Sequence, residues 1–249
     1  MKRISIIILI ISAMFFSSCD VLQQVLDEAS SQTTLTNSEI IQGLKEALTE
    51  GAVSSSSVLH ATDGYFKDQA VKILLPPEAN VIVENIRKVP GIGDKTMDDL
   101  VLRINRSAED AAIEAKPIFI SAVKTMTIQD GMAILKGGNT AATDYLRRKT
   151  YTQLKSAFSP KINTSLNKKL VGNVSTNKAW TDVTSLYNKV APFIGKPTVN
   201  TDLGDYVTRK ALDGLFVKVA DEEKKIRANP YQYTSDIIKK VFGYAKSNL

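Results

Sequence analysis

From Thr36 onward the apolar positions recur every three or four residues, the period of an amphipathic helix, and no sustained alternating run bounded by hairpin turns interrupts them. Thr36 with Glu39 makes a capping-box start, and Ile40, Ile41, Leu44, Ala47 and Leu48 follow at helical spacing. Gly51 and the run Ser54 to Ser57 weaken the far end of this helix. Val53, Val58 and Leu59 flank them, so a small-residue face packed against a neighbour is expected. Asp63-Gly64 is a turn signal, and the apolar stretch Val71 to Leu75 stops at Pro76-Pro77. Pro77 suits the first position of a helix running to Val89, which Pro90-Gly91-Ile92-Gly93 then ends. Asp94 caps a long pattern from Met97 through Ile104, Ala108 and Ala112 to Phe119, which Pro117 should kink or split.

Thr127 with Asp130 opens a further helix that stops at Gly137-Gly138, and Asn139 or Thr140 caps the next, leading on to Leu154 and Phe158. Ser159-Pro160 predicts the start of another. Asn177 to Phe193 carries the single Trp, Trp180, and Gly195 with Pro197 marks a loop. Asp202 caps a strongly amphipathic helix (Leu203, Val207, Ala211, Leu212, Leu215, Phe216, Val219) that ends at Asn229-Pro230. Thr234 or Ser235 opens the last one, through Val241 and Phe242. The pattern predicts an all-α fold: a single multi-helix bundle of about nine or ten helices, broken at Pro and Gly. No fixed-period repeat points to a solenoid. Residues 38–249 read as one domain, long enough to bury its own core without a metal or disulfide.

The N-terminus has a different pattern. Lys2 and Arg3 precede an apolar run from Ile4 to Phe16, about 20 Å long as a helix and so short of the ~30 Å hydrocarbon core; this is the layout of a secretory signal. Ser17-Ser18-Cys19 resembles the lipobox of bacterial lipoproteins, with Phe16 where that family usually has Leu. The resemblance implies a signal peptide over 1–18, diacylated Cys19 as the new N-terminus, and a tether over 19–37. An ordinary signal peptide with an incidental Cys, or a short uncleaved anchor, are the alternatives. Acyl chains on Cys19 would make attachment to a membrane in the bacterial cell envelope effectively permanent. Asp20 resembles an enteric inner-membrane retention signal, while other phyla differ, so both the periplasmic face and the outer membrane stay open.

Composition excludes more than it assigns. One Cys and one His in 249 residues leave no disulfide framework, Cys-rich zinc site or multi-His centre, so no metal or cofactor is expected. The formal net charge is +6, and the two basic residues of the signal account for part of it, leaving 30 basic against 26 acidic residues, +4. That is too mild to argue for nucleic acid.

An ordered set of strings resembles one bacterial family. They include Gly43-Leu44-Lys45-Glu46-Ala47-Leu48, Asn105-Arg106-Ser107-Ala108-Glu109, Gly137-Gly138-Asn139-Thr140-Ala141-Ala142-Thr143-Asp144-Tyr145-Leu146 and Asp202-Leu203-Gly204-Asp205-Tyr206-Val207. Gly214-Leu215-Phe216, Glu222-Glu223, Ile226-Arg227-Ala228-Asn229-Pro230 and Val241-Phe242-Gly243 complete it. Over residues 38–249 they look like domain-of-unknown-function family 4197, a group of exported bacterial proteins and lipoproteins. The resemblance implies a helical exported protein and transfers no catalytic role.

Candidate chemistry is correspondingly thin. Val89-Pro90-Gly91-Ile92-Gly93-Asp94-Lys95 looks like a helix-hairpin-helix phosphate site, opposed by Asp94, Asp98 and Asp99 and by the export signal; the alternative is a Gly-rich turn capped by Asp94. Gly137-Gly138-Asn139-Thr140 ahead of a helix offers free N–H groups to an anion, or is simply one helix end followed by the next start. His60, near Ser56 and Ser57, is the only imidazole a Ser-His-Asp triad could use. Asn105, Glu109, Asp130, Asp144, Arg147, Glu223 and Arg227 are the polar residues a buried cluster would draw on. Glu109 or Asp144 as general base in a helical cleft gives a hydrolase-like reading, and mutual pairing inside the bundle gives a structural one. The sequence favours a non-enzymatic binding or structural module, its ligand a protein or a small apolar or anionic molecule.

Overall fold

The computed structural model describes residues 35–88, 90, 93–171 and 174–248. The expected signal peptide, Cys19 and most of the expected tether lie outside these residues, as do Val89, Gly91 and Ile92 of the Pro-Gly motif. Residues from Glu39 onward form one unit.

Nine α-helices occur among the described residues, so the chain is all-α as its patterning predicts. They are α1 (Asn37–His60), α2 (Asn80–Arg87), α3 (Gly93–Ala112), α4 (Ala115–Lys124), α5 (Ile128–Lys136), α6 (Ala141–Leu166), α7 (Thr176–Val190), α8 (Leu203–Ala228) and α9 (Asp236–Asn248). A short antiparallel ribbon, β1 (Lys169–Val171) with β2 (Val174–Ser175), joins α6 to α7. It is too small for period-2 patterning to register.

Local chemistry sets most boundaries. Thr127 caps α5 through its side chain while Asp130 reaches back to the Thr127 N–H, a complete capping box. The Thr127 hydroxyl and N–H hold the Asp130 carboxyl below the usual carboxylate range. Ser175 accepts from the Lys178 N–H at α7, and Asp202 from the Asp205 N–H at α8. The long pattern from Asp94 does split, between α3 and α4, and Pro117 falls in the first turn of α4 where no backbone donor is required. Pro160 is the correction: it lies inside α6 rather than opening a new helix. It is exposed, so water can satisfy the carbonyl it orphans, while Leu154, Phe158, Ile162 and Leu166 hold both halves of α6 in the core.

α6 and α8 are the central pair; α3 and α4 pack on α6. Phe119 of α4 meets Phe216 of α8 edge-on at 5.9 Å. α1 closes the other side, with Gly51 against Glu222 and Ile226 of α8, and the Ser56 hydroxyl donating to the Ala112 carbonyl of α3. No single described helix is long and apolar enough to cross a membrane.

Candidate functional site

Two buried carboxylates dominate the polar interior, and each is occupied by donors from its own chain. Glu223 of α8 accepts from the Ala142 N–H at 3.0 Å, the Thr143 N–H at 2.8 Å and the Thr143 hydroxyl at 2.8 Å. These are the first residues of α6, so Glu223 caps a helix some eighty positions away while Thr140, the N-cap residue, makes no side-chain cap. Arg227, one turn on, donates to Glu223 at 2.9 Å and to the Ile134 carbonyl at 2.8 Å, covering the C-terminal end of α5. One ion pair thus satisfies both helix ends flanking Gly137-Gly138, and the anion that the α6 N-terminus can hold is the protein's own Glu223.

Glu109 of α3 does the same for the 61–76 connection. One carboxylate oxygen accepts from the N–H groups of Tyr65 at 3.2 Å and Phe66 at 3.1 Å, and the other from Arg106 at 2.6 Å. Arg106 also binds Asp63 at 2.6 Å, and Asp63 sits in the left-handed region with φ of 71°. Lys67 and Arg106 beside it hold the Asp63 carboxyl below the usual carboxylate range, and Glu109 followed by Asp63 raises the Arg106 guanidinium. The Tyr65 hydroxyl donates to the Ala211 carbonyl at 2.7 Å, and Asp68 pairs with Lys218 of α8. Gly214 leaves space for this strap: a Cβ there would lie 2.8 Å from the Tyr65 ring and 3.1 Å from the Val71 Cβ.

The predicted polar residues therefore do not form one hydrogen-bonded network. Asn105 and Glu109 serve the strap, and Glu223 and Arg227 serve the α5–α6 junction. Asp130 completes a capping box, and exposed Asp144 receives only the Thr140 hydroxyl at 3.4 Å among the bonds described. Arg147 lies 4.5 Å over the Phe216 ring and 3.5 Å from Asp213. His60 donates through Nδ1 to the Glu109 carbonyl at 2.8 Å, while Ser56 and Ser57 give their hydroxyls to backbone carbonyls. At the start of α3, Arg87 binds Asp94 and Asp98, both at 2.9 Å, so an anion approaching there meets carboxylates already paired to the nearest cation.

The open space lies elsewhere. The concavity beside Glu223 and Arg227 has a volume of only about 20 Å³, room for at most one water. A cleft of about 590 Å³ runs between the strap, α2 and α8, and a second of about 700 Å³ adjoins it; Pro77, Tyr206, Lys210 and Asp213 wall both. Glu109, Asp144 and Glu223 line neither.

Two extended segments edge this double cleft, and each is clamped by an asparagine amide in the same way. Asn105 accepts from the Ile73 N–H and donates to the Ile73 carbonyl, both at 2.8 Å. Asn188 of α7 accepts from the Val199 N–H at 2.8 Å and donates to the Val199 carbonyl at 2.7 Å. A side-chain amide here stands in for a neighbouring strand, so backbone with no ladder partner stays satisfied. The Tyr206 hydroxyl donates to the Leu74 carbonyl at 3.0 Å, and burial raises its pKa, so it remains a donor at neutral pH. Sequence reading did not find this cleft, because its walls come from segments over a hundred residues apart. The single local signal is an Asn set at an otherwise apolar position of α3.

Asn105→Leu preserves volume but strands two buried backbone groups of Ile73. It is expected to cost about 2–3 kcal/mol and to accelerate amide exchange at Ile73. Asn188→Leu, with partly buried partners, should cost about 1 kcal/mol. Urea midpoints and site-resolved exchange test both; equal costs at the two positions would contradict the clamp argument.

Among the described residues no group of three or more His, Cys, Asp or Glu is placed to hold a metal ion. Comparison with curated proteins and with solved structures finds no match. Residues 34–243 match the model of a family described as proteins of unknown function, DUF4197, and the chain belongs to that family.

Proposed function

We propose that the chain is a lipid-anchored protein of the bacterial cell envelope that works by binding, with Cys19 acylated and the double cleft as the ligand site. The observation that carries the binding reading is the division of labour between interior and surface. Both carboxylate oxygens of Glu109 and of Glu223 already accept from donors of their own chain, and neither residue lines a cleft where a substrate could present a proton. The clefts, by contrast, have walls fixed by side-chain clamps, and rigid walls lower the ordering cost of binding. Leu74, Val83, Val101 and Val217 supply apolar lining, and Lys210 adds a cation that makes no ion pair among the described residues. That chemistry suits a molecule with an apolar body and one acidic group.

Octanoate is a suitable probe. Titrated into the protein, it should shift the amide resonances of Lys72, Gly214 and Val217 saturably, and Lys210→Glu should weaken the effect at least tenfold. Shifts that do not saturate, or that survive Lys210→Glu unchanged, would remove the cleft from consideration. The anchor is tested separately, by the intact mass of protein from its native host: a diacylglyceryl group on Cys19 is expected, and a free thiol would overturn it.

A further inference from the structure

α7 has two faces, and the more apolar one points outward. Trp180, Thr184 and Ala191 are buried, with Thr184 spending its hydroxyl on the Trp180 carbonyl. On the other side Val183, Leu186 and Val190 are 41%, 66% and 50% exposed, and Phe193 and Ile194, in the 3₁₀ turn that follows, are 88% and 55% exposed. Leu186 and Val190, three and seven residues on from Val183, share one face of α7 with it, and Phe193 and Ile194 extend the apolar surface at its C-terminal end. Gly195, at φ of 64°, ends the turn in the left-handed conformation, so Phe193 and Ile194 form a corner. Isolated surface apolar side chains are ordinary, but three on the outer face of a helix with a competent inner face, followed by two more in the turn that ends it, mark an interaction surface.

We propose that this stripe docks on the bilayer that carries the protein's own anchor, at an anionic headgroup surface. Three observations select a lipid surface as occupant. The stripe is convex, a helix side ending in a protruding Phe, the form that enters the headgroup boundary rather than receives a ligand. Lys189 and Lys196 lie beside it, both exposed and without an ion-pair partner among the described residues, while the Asp182 carboxylate on the same edge is paired to Lys178, so the apolar stripe is edged by net positive charge. The 18 residues from Cys19 to Thr36 reach at most ~60 Å when extended, which lets the domain turn this face toward the membrane. The inference rests on the anchored reading of Cys19. Docking adds a second contact to the lipid one, and would fix which way the cleft faces.

The test uses the full chain from its native host, reconstituted in vesicles of phosphatidylethanolamine and phosphatidylglycerol. An environment-sensitive fluorophore is placed on Ile194→Cys or, as a control outside the stripe, on Val58→Cys, a position 53% exposed on α1. Acylation of Cys19 is read by mass on the same sample, so failure of the anchor and failure of docking are seen separately. The label at 194 should shift to the blue and be quenched by brominated lipid several-fold more than the label at 58. Lys189→Glu with Lys196→Glu, or Phe193→Asp, should abolish the difference. Equal quenching at the two sites would overturn the proposal. So would a blue shift at 194 that rises with protein concentration and persists without vesicles, which would assign the stripe to a second copy of the chain.

Discussion

Glu223→Ala is expected to lower the stability of the domain by about 3–5 kcal/mol, the range for removing one partner of a buried ion pair. The reason is what the carboxylate leaves behind. The Ala142 and Thr143 N–H groups lose their acceptor in a buried setting, and unmade bonds of this kind cost about 1–3 kcal/mol each. The Arg227 side chain, 14% exposed, keeps its charge and its bond to the Ile134 carbonyl but loses its counterion. These losses share one site and do not add in full. Small domains have only 5–15 kcal/mol in hand, so urea denaturation should show a large fall in midpoint. Glu223→Gln keeps an acceptor for α6 but not the charge, and should cost about half as much. A change below about 1 kcal/mol for Glu223→Ala would mean that α6 is capped by other means.

This same residue shows where sequence reading stops. The period of the apolar positions located the helices, and Thr127 with Asp130 marked the start of α5 and Asp202 that of α8, because those signals act within one turn of chain. The sequence offers Glu223 as a member of a buried polar cluster, and its i,i+4 spacing to Arg227 is visible there. Nothing local says that its partners are the first N–H groups of α6. Pro160 misled for the opposite reason: the local rule against interior proline is sound, but packing of Phe158 and Ile162 on either side outweighs one lost hydrogen bond on an exposed face. In α7 the apolar period is evident, yet hydrophobicity alone would turn Val183, Leu186 and Val190 inward. The buried side is instead the one holding Trp180 and Thr184, whose polar atoms find carbonyls at Asn200 and Trp180.

The second large effect is expected at Tyr65, and it carries a pH signature. Tyr65 is wholly buried, backs onto Gly214 and joins the strap to α8 through the Ala211 carbonyl. Tyr65→Ala should cost about 3–5 kcal/mol, as for other large aromatic truncations, and should loosen the cleft wall formed by Val71 and Ile73. Tyr65→Phe removes only the hydroxyl, so it should cost about 1 kcal/mol at neutral pH. Burial, with the Glu109 charge adding to it, raises the Tyr65 pKa far above its ordinary value of about 10. The folded protein therefore keeps this proton where the unfolded chain releases it. The stability tied to the phenol is complete below about pH 10 and is lost as pH rises beyond it, by up to ~1.4 kcal/mol per pH unit. Tyr145, Tyr206 and Tyr233 are also raised by burial and should leave a shallower slope in Tyr65→Phe. Urea midpoints followed from about pH 8 to pH 11.5 should fall more steeply for the native chain, so that its advantage over Tyr65→Phe shrinks and then reverses. Parallel curves would show that the Tyr65 hydroxyl reaches solvent, and the strap would then not be the sealed, fixed wall that a preorganised cleft requires.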